Sequence, residues 1–384
     1  MLKVAVGWCD EPDAVEATQV ALDMAEKSLG GHIPQAGIVY AAVDFDLGAV
    51  GQAIAARFPE LLIVGCTTDG EIAGGEGFLE DSLVITLFAS DVISFTAGIG
   101  HGAIANPKGA AQGAVAMART GSQVNPALCI TLLEGLGTNI HHLVEGLRDA
   151  VGPDVPVVGG AAGDQLRFEG TRQLYGDTVT SDAVVVLLLH GPLSISTGVS
   201  TGYTPLGQPH IVTKAEGPVV HEIDERPAAD LYADYLQQPS IFYPLAVQDE
   251  TRKSLVLSSP LNFDEKTGAL HLVNPVEQGS RVQLATASRE EIVDAARNSV
   301  GQAFSRFDAD GVDAALLFSC AGRRATLGTR TGEEFQSIKN VIGEDVPTAG
   351  FYCYGEIGPD TNGGVSLTHT NAFVAVLLGT PKSE

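Results

Sequence analysis

Three times in this 384-residue chain an apolar, strand-like run ends in a knot of small residues followed by an acid. The turns are Val64-Gly65-Cys66-Thr67-Thr68-Asp69-Gly70-Glu71, Val158-Gly159-Gly160-Ala161-Ala162-Gly163-Asp164 and Ala349-Gly350-Phe351-Tyr352-Cys353-Tyr354-Gly355-Glu356. Each closes a strand-helix-strand order, because apolar spacing alternates along the chain between the helical and the extended period. In the first copy, 15–29 reads as a helix stopped at Gly30-Gly31, 36–43 as a strand, 47–58 as a helix stopped by Pro59, and 61–66 as a buried strand. The runs 83–89 and 92–99 then read as a hairpin. The second copy has a strand at 127–133, a helix at 139–151, a strand at 155–158, and the runs 183–189 and 193–199 joined at Gly191-Pro192. The third has strands at 314–318 and 347–352 around a helix at 332–342, and a closing strand at 372–378. The spacing is uneven, so this is a weak internal βαβ-hairpin repeat and not a solenoid. An α/β protein of mixed β-sheets flanked by helices is expected.

From 211 to 284 the pattern changes. Short strand-like runs (211–214, 219–223, 254–257, 268–272, 281–284) surround one helix at 228–236, punctuated by Pro239, Pro244, Pro260 and Pro275. A boundary near 218–225 divides the chain into two closely packed domains, 1–220 and 221–384.

Composition excludes several classes. With 47 acidic and 22 basic residues the formal charge is −25, which repels phosphate backbones and so argues against nucleic acid or an anionic membrane as partner. Apolar residues reach 45%, too many for a disordered acidic chain. The longest apolar run, 183–189, is far short of the ~20 residues needed to span a bilayer. No export signal follows Met1, and the five cysteines are odd in number and lack CxxC spacing, which suits a reducing cytoplasm.

The ordered set of motifs resembles the FIST family, named for F-box and intracellular signal transduction proteins. Gly65-Cys66-Thr67-Thr68-Asp69-Gly70-Glu71-Ile72, Gly159 to Asp164, and Ser196-Thr197-Gly198-Val199-Ser200 through Pro205-Leu206-Gly207 are similar to its N-terminal signature. His221-Glu222-Ile223-Asp224-Glu225-Arg226-Pro227-Ala228, Ser319-Cys320-Ala321-Gly322-Arg323, Glu333-Glu334 and Gly350 to Ile357 are similar to its C-terminal partner. The resemblance implies a sensory module of bacterial signalling that binds a small molecule such as an amino acid. Other members carry fused output domains; here the two halves take up the 384 residues. Output is therefore expected from a separate partner such as a histidine kinase, a chemoreceptor or a cyclic-dinucleotide enzyme.

The candidate ligand-binding residues are Gly65, Thr67, Asp69, Glu71, Gly159, Gly160, Asp164, Cys320, Arg323, Tyr354, Gly355 and Glu356. Glycine turns at strand ends bring backbone N–H groups close to a ligand. The acids suit an ammonium or hydroxyl group, and Arg323 suits a carboxylate. Against this stands a structural reading, in which the acids cap nearby N–H groups and Arg323 bridges to Glu333 or Glu334. Cys320 and Cys353, at late strand ends, read as packing residues or as a thiol activated by Arg323. No catalytic constellation and no metal site emerge. Gly198-Val199-Ser200-Thr201-Gly202 has the form of a nucleophile elbow, but Pro205, Gly207 and Pro209 prevent the helix that an elbow requires. Gly135-Leu136-Gly137-Thr138-Asn139 reads as an ordinary helix cap and not a phosphate loop. The nine histidines do not cluster. Since haem needs a single axial ligand, His101, His190, His210 and His369 leave a haem-binding nitric oxide sensor as the alternative. An enzyme using Cys320, Arg323 and Glu356 on a small polar substrate is a second alternative.

Overall fold

The computed structural model describes residues 1–122, 124–233, 235–248, 255–359 and 364–381. The first unit runs β1 (Leu2–Cys9), α1 (Ala14–Leu29), β2 (Ala36–Ala42), α2 (Leu47–Arg57), β3 (Leu62–Thr68), the short hairpin β4 (Glu71–Ala73) and β5 (Gly77–Leu79), and β6 (Leu83–Ser90). The second repeats that order as β7 (Ser94–His101), α3 (Pro107–Arg119), β8 (Leu128–Leu133), α4 (Ile140–Val151), β9 (Val157–Ala161), β10 (Gln173–Tyr175), β11 (Thr178–Thr180) and β12 (Ala183–His190). The third opens with β13 (Ser194–Ser200) and is then interrupted. The insertion comprises β14 (Thr204–Glu216), β15 (Val219–Ile223), β16 (Arg226–Pro227), α5 (Asp230–Ala233), β17 (Leu245–Gln248), β18 (Val256–Ser258), β19 (Pro260–Phe263), β20 (Leu270–Leu272) and β21 (Arg281–Thr286). The unit resumes with α6 (Arg289–Arg306), β22 (Ala314–Cys320), α7 (Ala321–Leu327), α8 (Gly332–Ile342), β23 (Thr348–Cys353), β24 (Glu356–Pro359), β25 (Ser366–His369) and β26 (Phe373–Gly379).

Local chemistry sets the helix ends. The Asp13 carboxylate accepts from the N–H groups of Val15 and Glu16 to open α1, and Gly30 closes it at φ 61°. Asn139 opens α4 by accepting from the His142 N–H.

In each unit the two middle strands run parallel, as β2–β3, β8–β9 and β22–β23. The last strand lies antiparallel beside them and the opening strand takes the outer edge, in the orders β1-β6-β2-β3, β7-β12-β8-β9 and β13-β26-β22-β23. The hairpins are exchanged in a ring. That of the first unit pairs with β23, that of the second with β3, and that of the third with β9. The ring also brings the chain ends together, since the Leu2 N–H donates to Thr380 Oγ1 at 3.1 Å.

Two expected pairings are corrected. The runs 83–89 and 92–99 do not form a hairpin, and neither do 183–189 and 193–199. β6 is already bonded on both sides by β1 and β2, and β12 by β7 and β8, so neither has a free edge for the strand that follows it. The short connectors carry the chain into the next unit's sheet. The insertion forms an eight-stranded sheet among the described residues. Residue 254 of the expected run 254–257 lies outside them, and the 220/221 boundary falls within β15.

The inner faces of the three sheets share one core, with Ile38, Tyr40, Ile130, Leu132, Phe318 and Phe351 buried in it. Phe351 stacks on Tyr40 at 4.9 Å and meets Phe318 edge-on at 5.8 Å. Each such side chain contributes about 1.5–3 kcal/mol by burial. Helices cover the outer faces at close approach. A Cβ on Gly7 would lie 1.8 Å from the Ala21 carbonyl of α1, and one on Gly198 would lie 1.9 Å from the Ser299 carbonyl of α6.

Candidate functional site

The carboxyl ends of the parallel pairs converge between units, which is where ligand sites arise in open α/β sheets. Three buried glutamates tie these ends together. Each accepts the N–H of the residue just before its unit's last strand: Glu71 from Ser82 (3.3 Å), Glu134 from Asp182 (2.7 Å), and Glu356 from Ala372 (2.9 Å). In the first two the other carboxylate oxygen receives a threonine hydroxyl, Thr68 for Glu71 and Thr171 for Glu134. In the third it faces sulfur, 3.5 Å from Cys353 Sγ. Burial pushes the Glu71 carboxyl up to about 7, and burial likewise raises that of Glu356.

The other acids have separate tasks. Asp69 is buried beside Arg324, whose Nη1 donates to Oδ2 at 2.9 Å; desolvation nonetheless pushes it up to about 6. Arg324 also pairs with Glu80 and lies 5.5 Å over the Phe78 ring. Asp164 accepts from the N–H groups of Phe168, Glu169 and Gly170 and from the Tyr354 hydroxyl. Burial opposes its ionisation, but those hydrogen bonds, led by Tyr354, outweigh it and hold the carboxyl below its ordinary range. They also hold Gln165, Leu166 and Phe168 at φ 58°, 57° and 54°, a left-handed conformation that side chains rarely adopt.

Arg323 is fully buried, and its three nitrogens make five hydrogen bonds inside the protein. Two go to Glu334 Oε1 (2.9 and 2.6 Å), and the others to the carbonyls of Thr201, Asn371 and Ile292. Gly65 and Gly159 face neighbouring strands, where a Cβ would lie 2.8 Å from Val39 and 1.9 Å from the Thr131 carbonyl. Thr67 exchanges hydrogen bonds with the Arg172 backbone. Gly160 makes room for Cys353, whose Sγ would lie 2.9 Å from an added Cβ.

Between the second and third units lies a cavity of about 170 Å³. The second unit contributes Gly135, Leu136, Gly137, Thr138, Ile140, Leu166 and Phe168. The third contributes Cys320, Ala321, Gly322, Cys353, Tyr354, Thr370 and Asn371, and the insertion closes the space with Ile241, Ser259, Leu261 and Val273. None of these residues carries a charge. Of the expected set, Cys320 and Tyr354 line the cavity, Glu356 lies beneath Cys353, Gly355 adjoins Tyr354, and Asp164 holds the Tyr354 hydroxyl. Asp69, Glu71, Thr67, Gly65 and Arg323 stand elsewhere. Arg324, Glu134, Phe168, Ser259 and Leu261 were not foreseen. Glu134 did have a signal, an acid directly after the apolar run 127–133; the insertion's residues had none, because only tertiary packing brings them here.

No group of three or more His, Cys, Asp or Glu side chains among the described residues is placed to hold a metal ion. A haem does not fit the cavity either. It is smaller than the ~300 Å³ of common cofactor pockets, and it offers neither a histidine ligand nor a cation for propionates. His190 has both ring nitrogens engaged, with Thr96 Oγ1 and the Val124 carbonyl, each at 2.9 Å.

Residues 35–226 match the FIST N domain and residues 228–359 match the FIST C domain. The chain belongs to the FIST family. FIST domains are sensory domains of signal transduction. The cavity therefore draws on both, with Gly135 and Phe168 in FIST N and Leu261 and Cys320 in FIST C. An uncharacterised protein of Mycobacterium tuberculosis is 25% identical over 374 residues, covering 93% of this chain and 95% of its own. One from Methanocaldococcus jannaschii is 32% identical over 119 residues, 30% of this chain and 23% of its own. Among solved structures, cyanuric acid hydrolase from A. caulinodans aligns over the whole of both chains at 10% identity with a TM-score of 0.40. Among the described residues no helix is long and apolar enough to cross a membrane.

Proposed function

We propose that this FIST protein senses a small molecule bound in the cavity between its second and third units and passes the occupancy to a separate signalling partner. A histidine kinase, a chemoreceptor or a cyclic-dinucleotide enzyme is the class of partner meant. The observation that carries the reading is the cavity's position, since it is walled by both FIST domains and roofed by the inserted sheet. A ligand there touches all three bodies, so binding one arrangement of them better than another shifts the population between arrangements. The residues assigned to it are Cys320, Tyr354, Gly355 and Glu356, with Asp164 and Gly160 supporting from behind. The uncharged lining favours a neutral molecule with an apolar body and one or two hydrogen-bonding groups over an amino-acid zwitterion, because Arg323 is committed to Glu334. A cytoplasmic setting suits the five unpaired, buried cysteines.

A thermal-shift screen of small neutral metabolites tests this. A true ligand at 100 times its dissociation constant stabilises the protein by about 2.7 kcal/mol. The effect is expected to vanish in Ala321→Phe, which fills the cavity. Stabilisation that survives this change, or that arises only with zwitterionic amino acids, overturns the assignment.

A further inference from the structure

We propose that Cys320 is a covalent capture site for small uncharged electrophiles carrying an α,β-unsaturated carbonyl, with Glu356 as the group that takes and returns the proton. This rests on the cavity being the ligand site and names the chemistry that it performs.

The argument begins with the three glutamates. Two of them spend both oxygens on structure, one on a backbone N–H and one on a threonine hydroxyl. The third keeps the backbone tie to Ala372, but its other oxygen is turned toward two thiols at the cavity floor. Cys320 and Cys353 end adjacent parallel strands as register partners, so their side chains leave the same face of the sheet. Cys353 is fully buried, and its Sγ also lies 3.4 Å from the Ser319 carbonyl oxygen. Cys320 retains 6% of its surface and lines the cavity. Its sulfur interacts with the Glu356 carboxyl and with the backbone N–H groups of Gly322 and Asn371.

Burial raises the Cys320 thiol, so it does not stand ready as a thiolate and needs a base at the moment of attack. Glu356 is in place for that task, and burial raises it toward the neutral range where a carboxylate accepts a proton more readily. The uncharged walls select an uncharged electrophile. Ser259 Oγ accepts from Asn371 Nδ2 at 2.8 Å, which leaves its hydroxyl hydrogen for a ligand carbonyl oxygen. The step balances without a co-reactant. The thiol proton passes to the Glu356 carboxylate while sulfur bonds to the β-carbon, and the alkene π pair moves toward the carbonyl as an enolate. Glu356 then returns the proton to the α-carbon. The net change is an addition, with no leaving group and no change in oxidation state of sulfur beyond that of a thioether.

The test uses the intact chain and 3-buten-2-one, a small neutral enone, with intact-mass and peptide mass spectrometry. Native protein is expected to take one adduct, at Cys320, ahead of Cys9, Cys66, Cys129 and Cys353. Cys320→Ser takes none at that rate, and Ala321→Phe blocks the adduct. Glu356→Gln slows the addition by about 100-fold and flattens its pH profile, the size of a lost general base. Because that variant also perturbs a buried tie, Cys353→Ser provides a second check: it keeps Cys320 and Glu356 and is expected to retain fast addition. Adducts spread over the other cysteines, or no adduct on native protein while the unfolded chain reacts at all five, would overturn capture. A neutral metabolite that still stabilises the protein while Cys320 stays inert overturns capture and leaves the binding reading standing. An adduct that Ala321→Phe fails to block counts against the cavity itself.

Discussion

Two corners of the ring follow one plan and end differently. Where the third unit meets the first, Arg324 reaches from α7 into the gap, pairs with Asp69 and Glu80, and lies over Phe78. Where the second meets the third, no arginine enters, and Cys320, Cys353 and Tyr354 stay open to a cavity roofed by Ser259, Leu261 and Val273. The corner between the first and second is again tied by an arginine, Arg167 to Asp44 at 2.7 and 2.5 Å. Equivalent strand ends thus become joints or a site according to what fills the space between them. Charge closes a corner, and the lack of it leaves room.

The contrast can be broken at its root. Arg323 and Glu334 brace the strand ends behind both corners with a fully buried ion pair. Arg323→Met leaves Glu334 without its counter-charge, and a loss of about 3–5 kcal/mol is expected in urea or guanidinium unfolding. A loss under 1 kcal/mol would mean that the brace is dispensable.

A smaller effect is expected at the closed corner, and it carries a pH signature. Burial raises Asp69 from 3.8 to about 6 despite Arg324. A carboxyl raised on folding favours the native state below its unfolded value, and that advantage is lost as pH rises through the folded one. Arg324→Ala removes the cation that favours the charged form. The variant is therefore expected to lose about 2 kcal/mol at pH 8 and much less at pH 5, as a charge-assisted hydrogen bond would. Equal losses at both pH values would show that Arg324 acts by packing on Phe78 alone.

The smallest change probes the open corner. The Tyr354 hydroxyl bonds to Asp164 and receives the Leu166 N–H at 2.7 Å, clasping the left-handed stretch beside the cavity. Tyr354→Phe is expected to cost about 1 kcal/mol and to speed amide exchange at 165–169. Unchanged exchange would mean that Asp164 holds the stretch unaided.

Much of this plan was legible in the residues, and the limits are physical. Caps such as Asp13, Gly30 and Asn139 act within a few residues, so the helices they bound were readable locally. The three turns were visible because small residues must stand where strands of different units cross. The false hairpins at 83–99 and 183–199 had good turn chemistry, but pairing was decided by edges that β6 and β12 had already used. At the site, the acids after the turns were legible as buried strand-end groups. Their partners were not, since Arg324 reaches Asp69 across 255 residues of chain. Leu261 and Ser259 carry no periodic signal and acquire a role only when the inserted sheet folds over the cavity.

The hairpin exchange has a topological consequence. Since each unit lends its hairpin to another and receives one in turn, the ring has no privileged starting unit. With Leu2 and Thr380 already touching, the ends can in principle be joined and the chain reopened in the connector at 91–93 or at 191–193. Such circular permutants would keep every sheet and both corners, and would change only the order in which the three units leave the ribosome.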